Sequence, residues 1–206
     1  MFSMGRTGLF DLEKHFAFYG SYHSNPINIA IHVLFVWPIF FSAILILYFT
    51  PRFFDLPNFD FFLFGNLHFV LVWNFGFLVT LVYSVFYASL DLKAGSLAAL
   101  LCVFCWVLSS FLARQLGWTL AWKVVLVVQL VCWIGQFIGH GVFEKRAPAL
   151  LDNLIQALVM APFFVLLEAL QTLFGYEPYP GFHSIVQAKV EANIEEWKES
   201  KLRLIS

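Results

Sequence analysis

The chain predicts an all-α fold: a polytopic transmembrane bundle of four to five spans, followed by a C-terminal amphipathic helix. Three observations carry this. Of the 206 residues, 61% are hydrophobic and only 12% charged, with a mean hydropathy of +0.80, whereas a soluble domain carries about 25% charge. Several apolar stretches reach the roughly 20 residues that cross a bilayer. After residue 184 the pattern changes, and apolar and charged residues recur at helical spacing. No linker-like shift in composition divides the chain, so the expectation is one membrane-embedded domain over 1–206: a polar leader at 1–25, a helical bundle at 26–174 and a surface tail at 175–206.

The leader carries Arg6, Asp11, Glu13, Lys14 and His15 and is too polar to span. Asn25-Pro26 is a helix start, because Asn caps free amides and Pro tolerates the first helical position, where no donor is needed. The first span is therefore placed at 26–49, with His32 in its second turn and a kink at Pro38. Thr50, Pro51, Arg52, Asp55, Pro57 and Asp60 mark a loop outside the bilayer. The uncharged run that follows gives a second span at 67–90, and Asp91-Leu92-Lys93 a short turn. Spans at 95–113 and 124–139 are joined by a connection containing Gly117. The apolar segment 154–174 contains Pro162 and Glu168 and need not cross fully. In the tail, Val186, Val190, Ile194 and Trp197 lie opposite Lys189, Glu191, Glu195, Glu196 and Lys198, the pattern of a helix on the membrane surface or against its own bundle.

A net charge of −1 gives no basic face for nucleic acid. Cys102, Cys105 and Cys132 all lie in apolar runs and read as buried thiols, without a disulfide framework or a second ligand pair. Lysines and arginines fall almost evenly on the two sides, so they assign no orientation.

The polar exceptions are concentrated in two places. One contains His23, Asn25, Asn28 and His32; the other contains Gln136, His140, Glu144, Lys145, Arg146, Asp152 and Asn153. Helix counting brings them to one membrane face, because a segment that starts on a face is level with the ends of the second and fourth segments. On a continuous helix, Gln136, His140 and Glu144 would share a stripe. Gly139 and Gly141 flank the histidine and permit close approach. Ionisable groups at membrane depth are costly, and neutral imidazole is a common metal ligand. Three histidines with amides and carboxylates around them favour a metal site over a solvated turn. His15, His68 and His183 have no such company and read as structural or surface residues.

Two motifs, F-Y-G-S-Y-H-S-N-P-I-N-I-A-I-H at 18–32 and W-I-G-Q-F-I-G-H-G-V-F-E-K-R-A-P-A-L-L-D-N-L-I-Q-A-L at 133–158, resemble those of the endoplasmic-reticulum 2-hydroxy fatty acid dioxygenases. The fungal member of that family acts in breaking phytosphingosine down to odd-numbered fatty acids. The resemblance spans most of the chain, although the loop at 50–60 and the tail after Gly175 depart from the family pattern. It implies Fe(II)-dependent alpha-oxidation in the endoplasmic-reticulum membrane, with a long-chain 2-hydroxy fatty acid and O2 as substrates and membrane lipids as surroundings. By motif match, His23, His32 and His140 would hold the iron. Glu144 would be a further ligand or an orienting partner. Asn25, Asn28, Gln136, Asp152 and Asn153 would fix the imidazoles and meet the substrate, and Lys145 or Arg146 would grip its carboxylate. Two other readings stand beside this one. A di-iron hydroxylase or desaturase is disfavoured because the chain lacks tight histidine clusters, and a non-catalytic scaffold or lipid-binding protein would use the polar groups only to lock helices together.

Overall fold

The structure, a computed structural model, describes residues 8–53, 57–63, 65, 67–148, 154 and 156–205. Its helices are α1 (Leu12–Tyr22), α2 (Pro26–Leu47), α3 (Phe75–Leu90), α4 (Leu92–Ile138), α5 (Ala161–Phe174) and α6 (Phe182–Ile205), with one antiparallel hairpin, β1 (Phe59–Leu63) and β2 (Leu67–Leu71). Two compact units emerge, Met1–Val33 with Phe137–Ser206, and Leu34–Gln136. Among the described residues, three helical stretches are long and apolar enough to cross a membrane: Pro26–Leu47, Leu92–Glu144 and Gln156–Phe174. The protein is therefore an all-α membrane protein in class.

In the second unit, contacts trace an alternating course of helices. Asn74 caps α3 through Phe77 N and donates from Nδ2 to Tyr48 O at 2.8 Å, so α3 starts beside the end of α2. Phe40 then meets Tyr83 as α3 returns. A methyl on Gly95 would lie 1.9 Å from Tyr87 O, which makes this glycine the condition for the tight α3–α4 corner. Farther along, Phe77 packs on Trp106. The second half of α4 runs back along α2: Leu45 packs with Ala113, Ala121 and Val125, Gln129 donates to Ser42 Oγ and Ile39 O, and Gly135 faces Phe35. Leu100, Phe104, Val127, Val131 and Ile134 remain exposed, an apolar outer surface that suits lipid and would be a liability in water.

Two sequence expectations are corrected here. The span at 67–90 is a strand followed by the 16-residue helix α3. In an apolar run, hydrophobicity alone does not separate helix from strand. What decides is pairing: Phe61 stacks on Phe69, Phe62 on His68, and His68 bonds Asp60 across the hairpin. The connection at 114–123 is helical apart from Gly117, whose φ of 63° breaks α4. Good helix formers on both sides leave one glycine to make the turn. A straight Leu92–Glu144 helix would be about 80 Å long, far more than the roughly 30 Å hydrocarbon layer, and the break at Gly117 divides it into two shorter arms.

In the first unit α6 packs along α1. Val190 Cγ2 would be 2.8 Å from a methyl on Gly20, Phe182 stacks on Phe16, and Lys189 pairs with Glu13 at 2.5 Å. Of the two placements open to the tail, this is the one against the protein. Cys102, Cys105 and Cys132 are buried free thiols. His15 bonds Gly8 O and Gln156, His68 also meets Arg114, and His183 bonds Gln171; none of them belongs to the group formed by the other three histidines.

Candidate metal centre

Three helical ends build the site, all within the first unit. α1 stops at His23, whose backbone N–H bonds Gly20 O. α2 restarts at Pro26, with Asn25 Oδ1 accepting from Ile27 N at 2.9 Å. After α4 the chain winds as a π-helix over Gly139–Glu144 and ends at Lys145, in the left-handed region with φ 55°. His140 O closes this wide turn by accepting from the N–H groups of Lys145 and Arg146. Such π turns often lie at functional sites.

His23, His32 and His140 meet there. One ligand-type nitrogen from each lies within 4.8 Å of the others. Ring centroids are 4.4, 4.9 and 4.8 Å apart, and the planes cross at 78°, 68° and 77°. The rings are edge-on to one another rather than stacked, as imidazoles sharing a cation would be. His23 Nδ1 is 2.8 Å from Tyr19 O and His32 Nδ1 is 2.9 Å from Asn28 O. A carbonyl only accepts, so each Nδ1 carries the proton and each Nε2 keeps its lone pair. Burial, with His32 and His140 alongside, pushes the His23 imidazole well below its usual range, which keeps it neutral. His23 Nε2 and His140 Nδ1 are buried without a hydrogen-bond partner. Orphaned lone pairs on converging rings, with carbonyls fixing two tautomers, fit a metal ion.

Glu144 lies outside this ligand group. Oε1 accepts from Ser24 N at 3.0 Å and Ser24 Oγ at 2.5 Å, while Oε2 accepts from Asn25 N and Asn28 Nδ2, both at 3.0 Å. The carboxylate thus clasps the turn ahead of α2, at the positive end of that helix. Asn28 is wholly buried and also donates to Tyr22 O. Its Oδ1 would lie 2.4 Å from a methyl on Gly139, so that glycine admits Asn28. Gly141 faces open space.

The chain turns from α-helix to π-helix at Gly139, so Gln136, His140 and Glu144 do not lie on one continuous α-helix. Gln136 is buried on α4 in the second unit. Lys145 is exposed. Arg146 is pinned, with its guanidinium 3.6 Å from the Tyr22 ring centre and 4.7 Å from that of Trp197, and with Nη1 donating to Ser21 O at 2.7 Å. Asp152 and Asn153 lie outside the described residues. Sequence reasoning missed Ser24, Trp197 and Tyr19. Tyr19 is buried and stacks on His23 at 4.1 Å and 18°. Burial, then the Glu168 and Glu144 carboxylates, hold its phenol well above the ordinary value, so it stays protonated. Its place four residues before His23 was the available signal.

Residues 9–173 match the family described as 2-hydroxy-palmitic acid dioxygenase Mpo1-like. The chain is similar to the 2-hydroxy-palmitic acid dioxygenase MPO1 of Saccharomyces cerevisiae, with 34% identity over 197 residues, which cover 96% of this chain and 97% of the yeast protein. No solved structure matches significantly.

Proposed function

The chain belongs to the Mpo1-like family, and on that premise we infer that it is a dioxygenase converting a long-chain 2-hydroxy fatty acid and O2 to the acid one carbon shorter, CO2 and water. Written R–CH(OH)–COOH + O2 → R–COOH + CO2 + H2O, the reaction balances. The bond between C1 and C2 breaks, the substrate gives up four electrons and O2 accepts them. The observation that carries a metal role is the convergence of His23, His32 and His140 with buried, unpartnered ring nitrogens.

His23, His32 and His140 would hold Fe(II). Iron(II) bound there would supply the one-electron steps that let O2 react with a closed-shell hydroxy acid, and three protein ligands would leave positions open for substrate and O2. The Tyr19 and Asn28 carbonyls hold two of the rings in the ligand tautomer. Glu144 acts as the orienting partner, since its oxygens are committed to Ser24, Asn25 and Asn28. Arg146 is held between two aromatic faces with one of its five donors on Ser21, and the rest of its edge would meet the substrate carboxylate. Lys145 adds charge at the rim. Gln136, Asp152 and Asn153 remain candidates for supporting the rings and the substrate.

Pro26–Leu47, the shorter α3, the two arms of α4 on either side of Gly117 and Gln156–Phe174 would make five spans. Surrounding lipid would deliver the acyl chain. The family resemblance supports a location in the endoplasmic-reticulum membrane.

Metal analysis of the purified protein tests this reading. One iron per chain is expected. Two would point to a di-iron hydroxylase, and a metal-free protein whose stability ignores chelators would point to a scaffold.

A further inference from the structure

Among the described residues, the buried side-chain polar atoms without a hydrogen-bond partner are Tyr19 OH, His23 Nε2, Asn28 Oδ1, Asn58 Oδ1 and His140 Nδ1. Four of the five belong to the histidine site. A metal accounts for the two imidazole nitrogens, and Asn28 Oδ1 is pressed over Gly139. The Tyr19 hydroxyl has no such account. Its ring is fixed by Phe16 at 5.7 Å, Phe164 at 5.4 Å and the His23 imidazole at 4.1 Å. Phenylalanine would fill this volume without burying an unpaired hydroxyl, and the chain uses phenylalanine 26 times against 7 tyrosines. A purely space-filling ring therefore gives no reason for the oxygen.

We propose that the Tyr19 hydroxyl is a specificity determinant that hydrogen-bonds the C2 hydroxyl of the bound 2-hydroxy fatty acid. A phenol both donates and accepts, so it pairs with an alcohol in either sense. The selectivity arises from the mismatch. A fatty acid without the C2 hydroxyl leaves the buried phenol unpaired, and a site built to bond a substrate hydroxyl discriminates strongly against the analogue lacking it. This inference rests on the dioxygenase reading above and adds the residue that tells its substrate from the abundant unhydroxylated acids.

The test uses the full-length protein in lipid nanodiscs and its Tyr19→Phe variant. Equilibrium displacement of a fluorescent fatty acid by 2-hydroxypalmitate and by palmitate is measured without O2, alongside iron content and steady-state turnover. The variant should keep its iron. Its preference for the hydroxylated acid should fall about tenfold, with KM for 2-hydroxypalmitate rising accordingly. An unchanged preference would overturn the proposal while leaving the dioxygenase reading intact, and so would a variant that loses its iron, because Tyr19 would then serve only to support His23. A wild-type protein that neither prefers nor consumes 2-hydroxypalmitate would reject the dioxygenase reading itself, and the proposal with it.

Discussion

Replacing His23, His32 or His140 by alanine, one at a time, will strip the iron from the purified protein and abolish turnover. Each ring contributes a nitrogen to a cluster no wider than 4.8 Å, and no other group of three His, Cys, Asp or Glu residues among those described can substitute for it. Turnover should fall on the order of a thousandfold or more, equivalent to losing about 4 kcal/mol of barrier lowering. Iron content should drop from one per chain towards zero. His68→Ala is the control, because His68 lies on the hairpin, held by Asp60 and by Arg114 of α4, and this variant should keep both iron and activity. Alanine variants of all three cluster histidines that retain iron and turnover would remove the metal centre from the account.

Glu144→Ala should have the second largest effect, and through a different route. The substitution leaves Ser24 N, Ser24 Oγ, Asn25 N and Asn28 Nδ2 without their shared acceptor. Bonds to a charged group contribute about 1.5 to 3 kcal/mol each, but Ser24 is exposed and water will replace part of the loss. A net destabilisation of about 3 kcal/mol is expected, read as a lower unfolding temperature in detergent. Asn28 is both a partner of Glu144 and the residue whose carbonyl orients His32, and His23 directly precedes the clasped turn. Iron affinity should therefore fall by roughly 10- to 100-fold, the usual cost of losing a group that orients a ligand. Glu144→Gln should recover only part of this, since its amide nitrogen would face donors where the carboxylate offered an acceptor. Iron affinity and melting temperature unchanged in Glu144→Ala would show that the clasp does not position the ring.

Much of this arrangement is legible in the chain because an apolar background makes polar groups conspicuous. Counting helices leads to the expectation that His23 and His32 lie level with His140, and the three rings do meet. Asn25-Pro26 marks the start of α2 correctly for a local reason, as both residues act within one turn. What the chain conceals depends on pairing across distance or on an unusual winding. The β1–β2 hairpin is hidden because Asp60 reads as the end of a polar loop, while Leu67–Leu71 runs without a charge into the apolar stretch of α3. The π turn at Gly139–Glu144 replaces the regular helix that the chain suggests, and Glu144 accepts from Ser24, 120 residues away. Tyr19 is inconspicuous among so many aromatics, and only its stacking on His23 and its unpaired hydroxyl distinguish it.

We infer that this protein removes one carbon from a 2-hydroxy fatty acid at a three-histidine iron site. The most direct test is the quantity of pentadecanoic acid formed from 2-hydroxypalmitate by Fe(II)-loaded protein, with and without O2 and against palmitate as the alternative substrate. Pentadecanoic acid and CO2 should form in equal amounts, only with O2 and only from the hydroxylated acid. No pentadecanoic acid under O2, or equal consumption of palmitate, would contradict this inference.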